Sequence, residues 1–142
     1  MKIWMPFRKK KPLVAVIRLS GTIAADGRFG SSAISDHSTK NIIEKAFRRK
    51  GLSAVAIVIN SPGGSPVQSS LIAARIRRLA DDKKIPVYAF VEDVAASGGY
   101  WLATAADKIY ADASSIVGSI GVIYSGFGFD KLIESYGIER RI

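Results

Sequence analysis

Apolar residues follow two rhythms along this chain. Continuous runs at 13–19, 54–60 and 87–91 predict strands, and the second reads as a strand covered on both faces of a parallel sheet. Elsewhere the apolar positions recur with helical spacing. Ile42, Ile43, Ala46 and Phe47 share one face of a helix capped by Ser38 or Thr39, ending in Arg48, Arg49 and Lys50 with Gly51 just beyond. Leu71, Ile72, Arg75, Ile76 and Leu79 mark a second helix. It starts at Pro66 behind an N-cap Ser65 and a capping box to Gln68, and runs to about residue 79.

The connecting stretches fill in the order. Residues 22–37 are polar and rich in Gly, Ala and Ser, which predicts a loop. The turn at 81–86 leads into the third strand, and the alanine-rich stretch 100–106 predicts a helix after it. A short strand at 108–112, an apolar run at 116–124 and a helix at 129–136 closed by Gly137 complete the series. Residues 138–142 read as the start of a further strand, so the chain is expected to be incomplete at its C-terminus. Strand, loop and helix in repetition predict an α/β fold with a largely parallel sheet.

Composition narrows the chemistry. With 142 residues, 48% of them hydrophobic, the chain is one domain or a piece of one, with enough apolar surface for a sizeable core. It has no cysteine, which removes thiol nucleophiles and sulfur metal sites, and its single histidine, His37, excludes a multi-histidine metal centre within the chain. No metal or cofactor is called for. No apolar run approaches the ~18 residues of a membrane span.

The net charge of +9 is distributed over several clusters at helix ends and polar faces. No zinc finger, RNP signature or basic-aromatic stripe accompanies it, so no nucleic-acid partner is expected. Residues 1–12 form a basic amphipathic segment ahead of a domain at 13–142. There Trp4 and Phe7 adjoin Arg8, Lys9, Lys10 and Lys11, a combination suited to peripheral contact with an anionic membrane.

Candidate chemistry gathers at two glycine-rich turns, each following a strand. Ser97, in Ala95-Ala96-Ser97-Gly98-Gly99, sits where a strand turns into a helix, the small-x-Ser-x-Gly pattern of a nucleophile elbow. Gly63 and Gly64, in Asn60-Ser61-Pro62-Gly63-Gly64-Ser65, offer amides just before a helix N-terminus, suited to an oxyanion of acyl transfer. The lysine and spacing of a phosphate-binding P-loop are missing. The base for Ser97 stays open. His37 with Asp36, Asp93 or Asp107 would make a triad, and a lysine kept neutral by burial, Lys108 or Lys131, would make a dyad.

These two motifs, followed in register by Gly118-Ser119-Ile120-Gly121-Val122, resemble the signal peptide peptidase family of bacterial serine peptidases, of the SppA and SohB type, over nearly the whole chain. The resemblance implies a Clp-protease-like or crotonase-like α/β fold with repeated β-β-α units. It also implies a Ser-Lys dyad that cuts peptides, such as remnant signal peptides or membrane-protein fragments, at the bacterial cytoplasmic membrane. Ser97 would be the nucleophile, and Gly63 or Gly64 would donate to the oxyanion together with Ser97 or Gly98. Ser119 would position the base lysine, which the family places a few residues beyond Ile142. Subunits would assemble into a homo-oligomer. Two alternatives keep the same fold, a crotonase-type acyl-CoA enzyme and a catalytically silent scaffold at the membrane.

Overall fold

In the computed structural model, which describes residues 11–25, 33–121 and 126–139, the strand runs of the sequence assemble into one sheet. β1 (Leu13–Ser20), β2 (Leu52–Ser61), β3 (Val87–Ala96) and β4 (Lys108–Ala111) lie side by side in that order. β5 (Ile116–Gly118) also pairs with β3, further along the strand than β4. Every pairing is parallel. The helices are α1 (Asp36–Phe47), α2 (Pro66–Lys83), α3 (Gly98–Ala103) and α4 (Asp130–Ser135). Strands and helices alternate singly until β4, β5 and α4, which follow in β-β-α order.

Side-chain alternation decides which face of the sheet is covered. Ile17 and Leu19 pair in register with Ile57 and Ile59, and these with Ala89 and Val91. All six are buried in one cluster with Ile43 and Phe47 of α1, Ile72 and Ile76 of α2, and Leu102 of α3. Burying one large side chain of this kind contributes about 1.5–3 kcal/mol. The other face carries Val14, Val16, Phe90 and Tyr110 in the open, with the Phe90 and Tyr110 rings stacked at 5.2 Å. The cover predicted for both faces of residues 54–60 is thus present on one face among the described residues.

Several boundaries differ from expectation, each for a local reason. α1 starts at Asp36, because Ser35 rather than Ser38 or Thr39 is its N-cap. The Ser35 hydroxyl accepts from Ser38 N at 3.0 Å and the Ser38 hydroxyl accepts from Ser35 N at 3.0 Å, a reciprocal capping box. The predicted loop at 22–37 therefore contains the first turn of α1, and it also holds buried Ile23 and Ile34, which form a β-bridge. The inward face of α1 is Thr39, Ile43 and Phe47, while Ile42 is 55% exposed.

α2 runs four residues past Leu79 to Lys83, and Leu71 faces outward. Its capping box is one-sided. Ser65 Oγ accepts from Gln68 N at 3.4 Å, but the Gln68 side-chain Oε1 accepts from Asp36 N at 2.8 Å, joining α2 to the start of α1. β3 continues to Ala96 and α3 starts at Gly98, so the turn between them is shorter than the sequence suggested. Ile138 and Glu139 do not form a strand, and residues 140–142 lie outside the described residues. The basic segment 1–10 lies outside them too. Among the described residues no helix is long and apolar enough to cross a membrane.

Candidate active site

Ser97 is the single residue between β3 and α3. With no loop to turn in, its backbone adopts φ 51° and ψ −117°, a conformation sparsely populated by residues with a side chain. Such a conformation costs about 1–3 kcal/mol and persists where the surroundings over-determine it. The pairing of Ala96 with Gly118 continues into a bond from Ser97 N to Gly118 O at 2.7 Å, and Ser97 O accepts from Trp101 N at 3.1 Å. The half-buried Ser97 hydroxyl makes no capping bond to α3.

The two glycine turns meet beneath this serine. A Cβ on Gly63 would lie 2.6 Å from Ala96 O and 2.9 Å from Ser97 Cβ, and one on Gly99 would lie 2.4 Å from Ser61 O. A Cβ on Gly98 would lie 2.3 Å from Ser69 Oγ. Only hydrogen fits at these positions. Ile23 closes the far side of the first turn, donating its N–H to Gly63 O at 2.9 Å and accepting from Ser65 N at 2.8 Å. In this parallel bridge the bracketed residue, Gly64, has its own N–H turned away from Ile23.

Hydrogen bonding separates the expected amide donors into two pairs. Gly63 N donates to Ser61 Oγ at 3.1 Å, and Ser97 N is engaged by Gly118 O. Gly64 N and Gly98 N have no acceptor among the described residues. Gly98 N opens α3, where first-turn amides lack an intrahelical partner. Two unengaged amides beside a hydroxyl can stabilise negative charge that develops on an oxygen. They open on a cleft of about 700 Å³ walled by Pro66, Tyr100, Trp101 and Ile120. Ser119 follows Gly118, the β5 residue paired with Ala96, so it lies just past the end of that strand, on the side of Ser97; it is exposed and has φ 51°.

The candidate bases within the chain are not brought to this cleft. Exposed His37 is in the first turn of α1. Asp36 accepts from Arg75 Nε at 2.8 Å and from its terminal nitrogen at 2.7 Å, and these bonds hold its carboxyl below the usual range. Asp93 accepts from the Asn60 amide at 2.8 Å. Asp107 accepts from Val87 N at 2.7 Å and from Arg77 at 3.0 Å. Lys108 pairs in register with Tyr88 near the start of β3. Nine residues of strand rise separate that point from Ser97, roughly 30 Å. Lys131 is on α4, whose residues are all exposed.

Sequence reasoning missed three buried residues that shape the site: Ile23, Ser61 and Ser69. Ile23 left one trace, an isolated isoleucine in a polar stretch. Ser61 and Ser69 look like turn and helix-surface serines, and only the glycine contacts show where they pack.

The chain has clear relatives. Residues 79–142 match the family model for peptidase family S49. The chain is 54% identical over 136 residues to the Na(+)/H(+) antiporter NhaA of Brucella melitensis, covering 96% of this chain and 18% of that protein. It is 38% identical over 130 residues to the chloroplastic serine protease SPPA of Arabidopsis thaliana, covering 89% of this chain and 19% of that protein. The solved structure of the membrane-bound stomatin-specific protease 1510-N superposes with a TM-score of 0.61 at 22% identity, over 89% of this chain and 59% of that one. That likeness bears on the fold alone, and it agrees with a Clp-protease-like or crotonase-like α/β architecture. The chain spans a small part of the length of these curated relatives. The family-model match over residues 79–142 and the protease relative together make the chain similar to proteins of peptidase family S49.

Proposed function

We propose that this chain carries the nucleophile and the oxyanion-binding half of a serine endopeptidase. Its main support is the strained Ser97, held between β3 and α3 with the unengaged amides of Gly64 and Gly98 beside it. In the reaction the Ser97 oxygen attacks the scissile carbonyl carbon, and the carbonyl oxygen takes negative charge while accepting from Gly64 N and Gly98 N. The C–N bond then breaks, the proton taken from Ser97 passes through the base to the leaving amine, and water releases the acyl group from Ser97. The base is a neutral lysine from outside the described residues, positioned by the Ser119 hydroxyl. This assignment fits a cleft that none of the described candidate bases enters. A crotonase-type thioester site would have no use for a strained serine.

The substrates proposed are signal-peptide remnants and membrane-protein fragments, met at an anionic membrane surface and processed by a homo-oligomer. The antiporter activity in one relative's name is not carried over, because the matched stretch is 18% of that protein. A fluorophosphonate probe tests the proposal on the full-length protein. Covalent labelling that disappears in Ser97→Ala is the expected result. Equal labelling of both forms would remove Ser97 as the nucleophile, and no labelling of either would favour a silent scaffold.

A further inference from the structure

We propose that Ser69 is a positioning residue, a buried wedge that sets the distance between the two oxyanion-binding amides. The inference rests on the peptidase reading above and deepens it. Ser69 lies in the first turns of α2, is fully buried, and donates its hydroxyl to Ser65 O at 2.9 Å. The same carbonyl already accepts Ser69 N at 3.0 Å, so the hydroxyl is not needed to satisfy it. What the hydroxyl does is occupy space. Its oxygen lies 2.3 Å from where a Cβ on Gly98 would stand, which places it directly against the Gly98 backbone.

The wedge connects the two halves of the site. Ser65, to which Ser69 is bonded, follows Gly64 in the chain and is itself held by Ile23 O through its amide. On the other side, Gly98 packs against the first glycine turn, since a Cβ on Gly98 would lie 3.4 Å from Gly64 N and one on Gly63 would lie 2.8 Å from Gly98 N. Ser69 thus bears on Gly98 while anchored to the residue beside Gly64. Removing its oxygen lets the α3 end settle toward α2 and shifts one donor relative to the other. A transition-state oxyanion needs both donors at hydrogen-bond distance together, whereas substrate binding in the cleft does not.

The test uses the full-length protein, an alkyl fluorophosphonate and a fluorogenic peptide, with Ser97→Ala alongside. For Ser69→Ala the expected result is a labelling rate and a kcat lower by about three- to tenfold, with KM unchanged. That is less than the roughly 10²–10³-fold loss on removing a whole donor. The thermal midpoint should stay within about 2 °C of the parent, since no buried group is left unpaired. Gly98→Ala alone should lose far more, because its methyl meets the Ser69 oxygen. Adding Ser69→Ala should recover much of that loss, the methyl taking the place of the hydroxyl.

Unchanged kcat in Ser69→Ala, or a double variant no better than Gly98→Ala, would overturn the wedge while leaving Ser97 as nucleophile. A fall in kcat accompanied by a comparable rise in KM and by a loss of thermal stability would reduce Ser69 to an ordinary core residue. Labelling of Ser97→Ala at the parental rate would instead sink the peptidase reading itself.

Discussion

Gly64 and Gly51 both have positive φ, yet substitution at the two should differ sharply in effect. At Gly51, φ is 74° and nothing lies within 4 Å of where an alanine methyl would stand, so alanine meets only the left-handed backbone penalty. That penalty is about 1 kcal/mol. At Gly64, φ is 144° and the methyl would lie 2.0 Å from Ile23 O, inside the bridge that turns the Gly64 amide away from Ile23. Ile23 cannot yield without giving up its bonds to Gly63 and Ser65. Gly64→Ala is therefore expected to cost about 3 kcal/mol and to slow fluorophosphonate labelling by about 100-fold or more. Gly51→Ala should label at the parental rate. Denaturant titration and labelling of both variants check this, and parental labelling by Gly64→Ala would remove that amide from the oxyanion site.

At the scale of elements, α1 and α2 are joined by polar bonds as much as by their apolar faces. Arg75 of α2 grips both oxygens of Asp36, reaches Glu44 at 3.4 Å, and is 16% exposed, while Asp36 is 23% exposed. The bonds from Arg75 lower the Asp36 pKa from its usual 3.8, against the opposing effect of burial. A carboxyl with a lowered native pKa adds stability above its unfolded pKa and loses it as pH falls through the native value. Asp36→Asn should therefore destabilise the protein by about 1–2 kcal/mol at pH 7. The gap to the parent should close as pH falls from about 3.8 toward 2, measured by denaturant unfolding across that range. A gap constant over the whole range would assign the loss to shape rather than charge.

This junction also shows how far the sequence could be read. Apolar runs and helical spacing were enough to locate β1, β2, β3 and α2, because burial on one face writes itself into the residue pattern. The start of α1 was not, since Ser35, Ser38 and Thr39 all have the chemistry of a cap and only their mutual bonds select Ser35. Gln68 looked like the partner of Ser65 because a capping box is local, whereas its side chain reaches 32 residues back to Asp36. Ile42 and Leu71 sit at the margins of helical stripes whose width the spacing alone does not fix. At the candidate site the serine and the glycines were legible as motifs. Which amides stay unengaged depends on Ser61, Ile23 and Gly118, residues distant in sequence or chemically plain.

For the molecule as a whole, charge is the property that most directly suggests where it works. The excess of 21 cations over 12 anions gives +9, and among the described residues Arg18, Arg48, Arg75 and Arg77 are held in ion pairs with carboxylates. The segment before β1 concentrates Lys2, Arg8, Lys9, Lys10 and Lys11 together with Trp4 and Phe7. Each cation near an anionic leaflet is worth about 1 kcal/mol at low salt, and the attraction decays within a Debye length. Binding to vesicles of phosphatidylcholine with phosphatidylglycerol should therefore be strong in about 50 mM salt and weak in about 0.5 M salt. Deleting residues 1–11 should lower the low-salt affinity by roughly 100-fold, with fluorophosphonate labelling of Ser97 unchanged in solution. Vesicle co-sedimentation decides the matter. Undiminished binding by the shortened chain would move membrane contact to the folded domain, where the uncovered sheet face with Val14, Val16, Phe90 and Tyr110 is one exposed apolar surface that could make it.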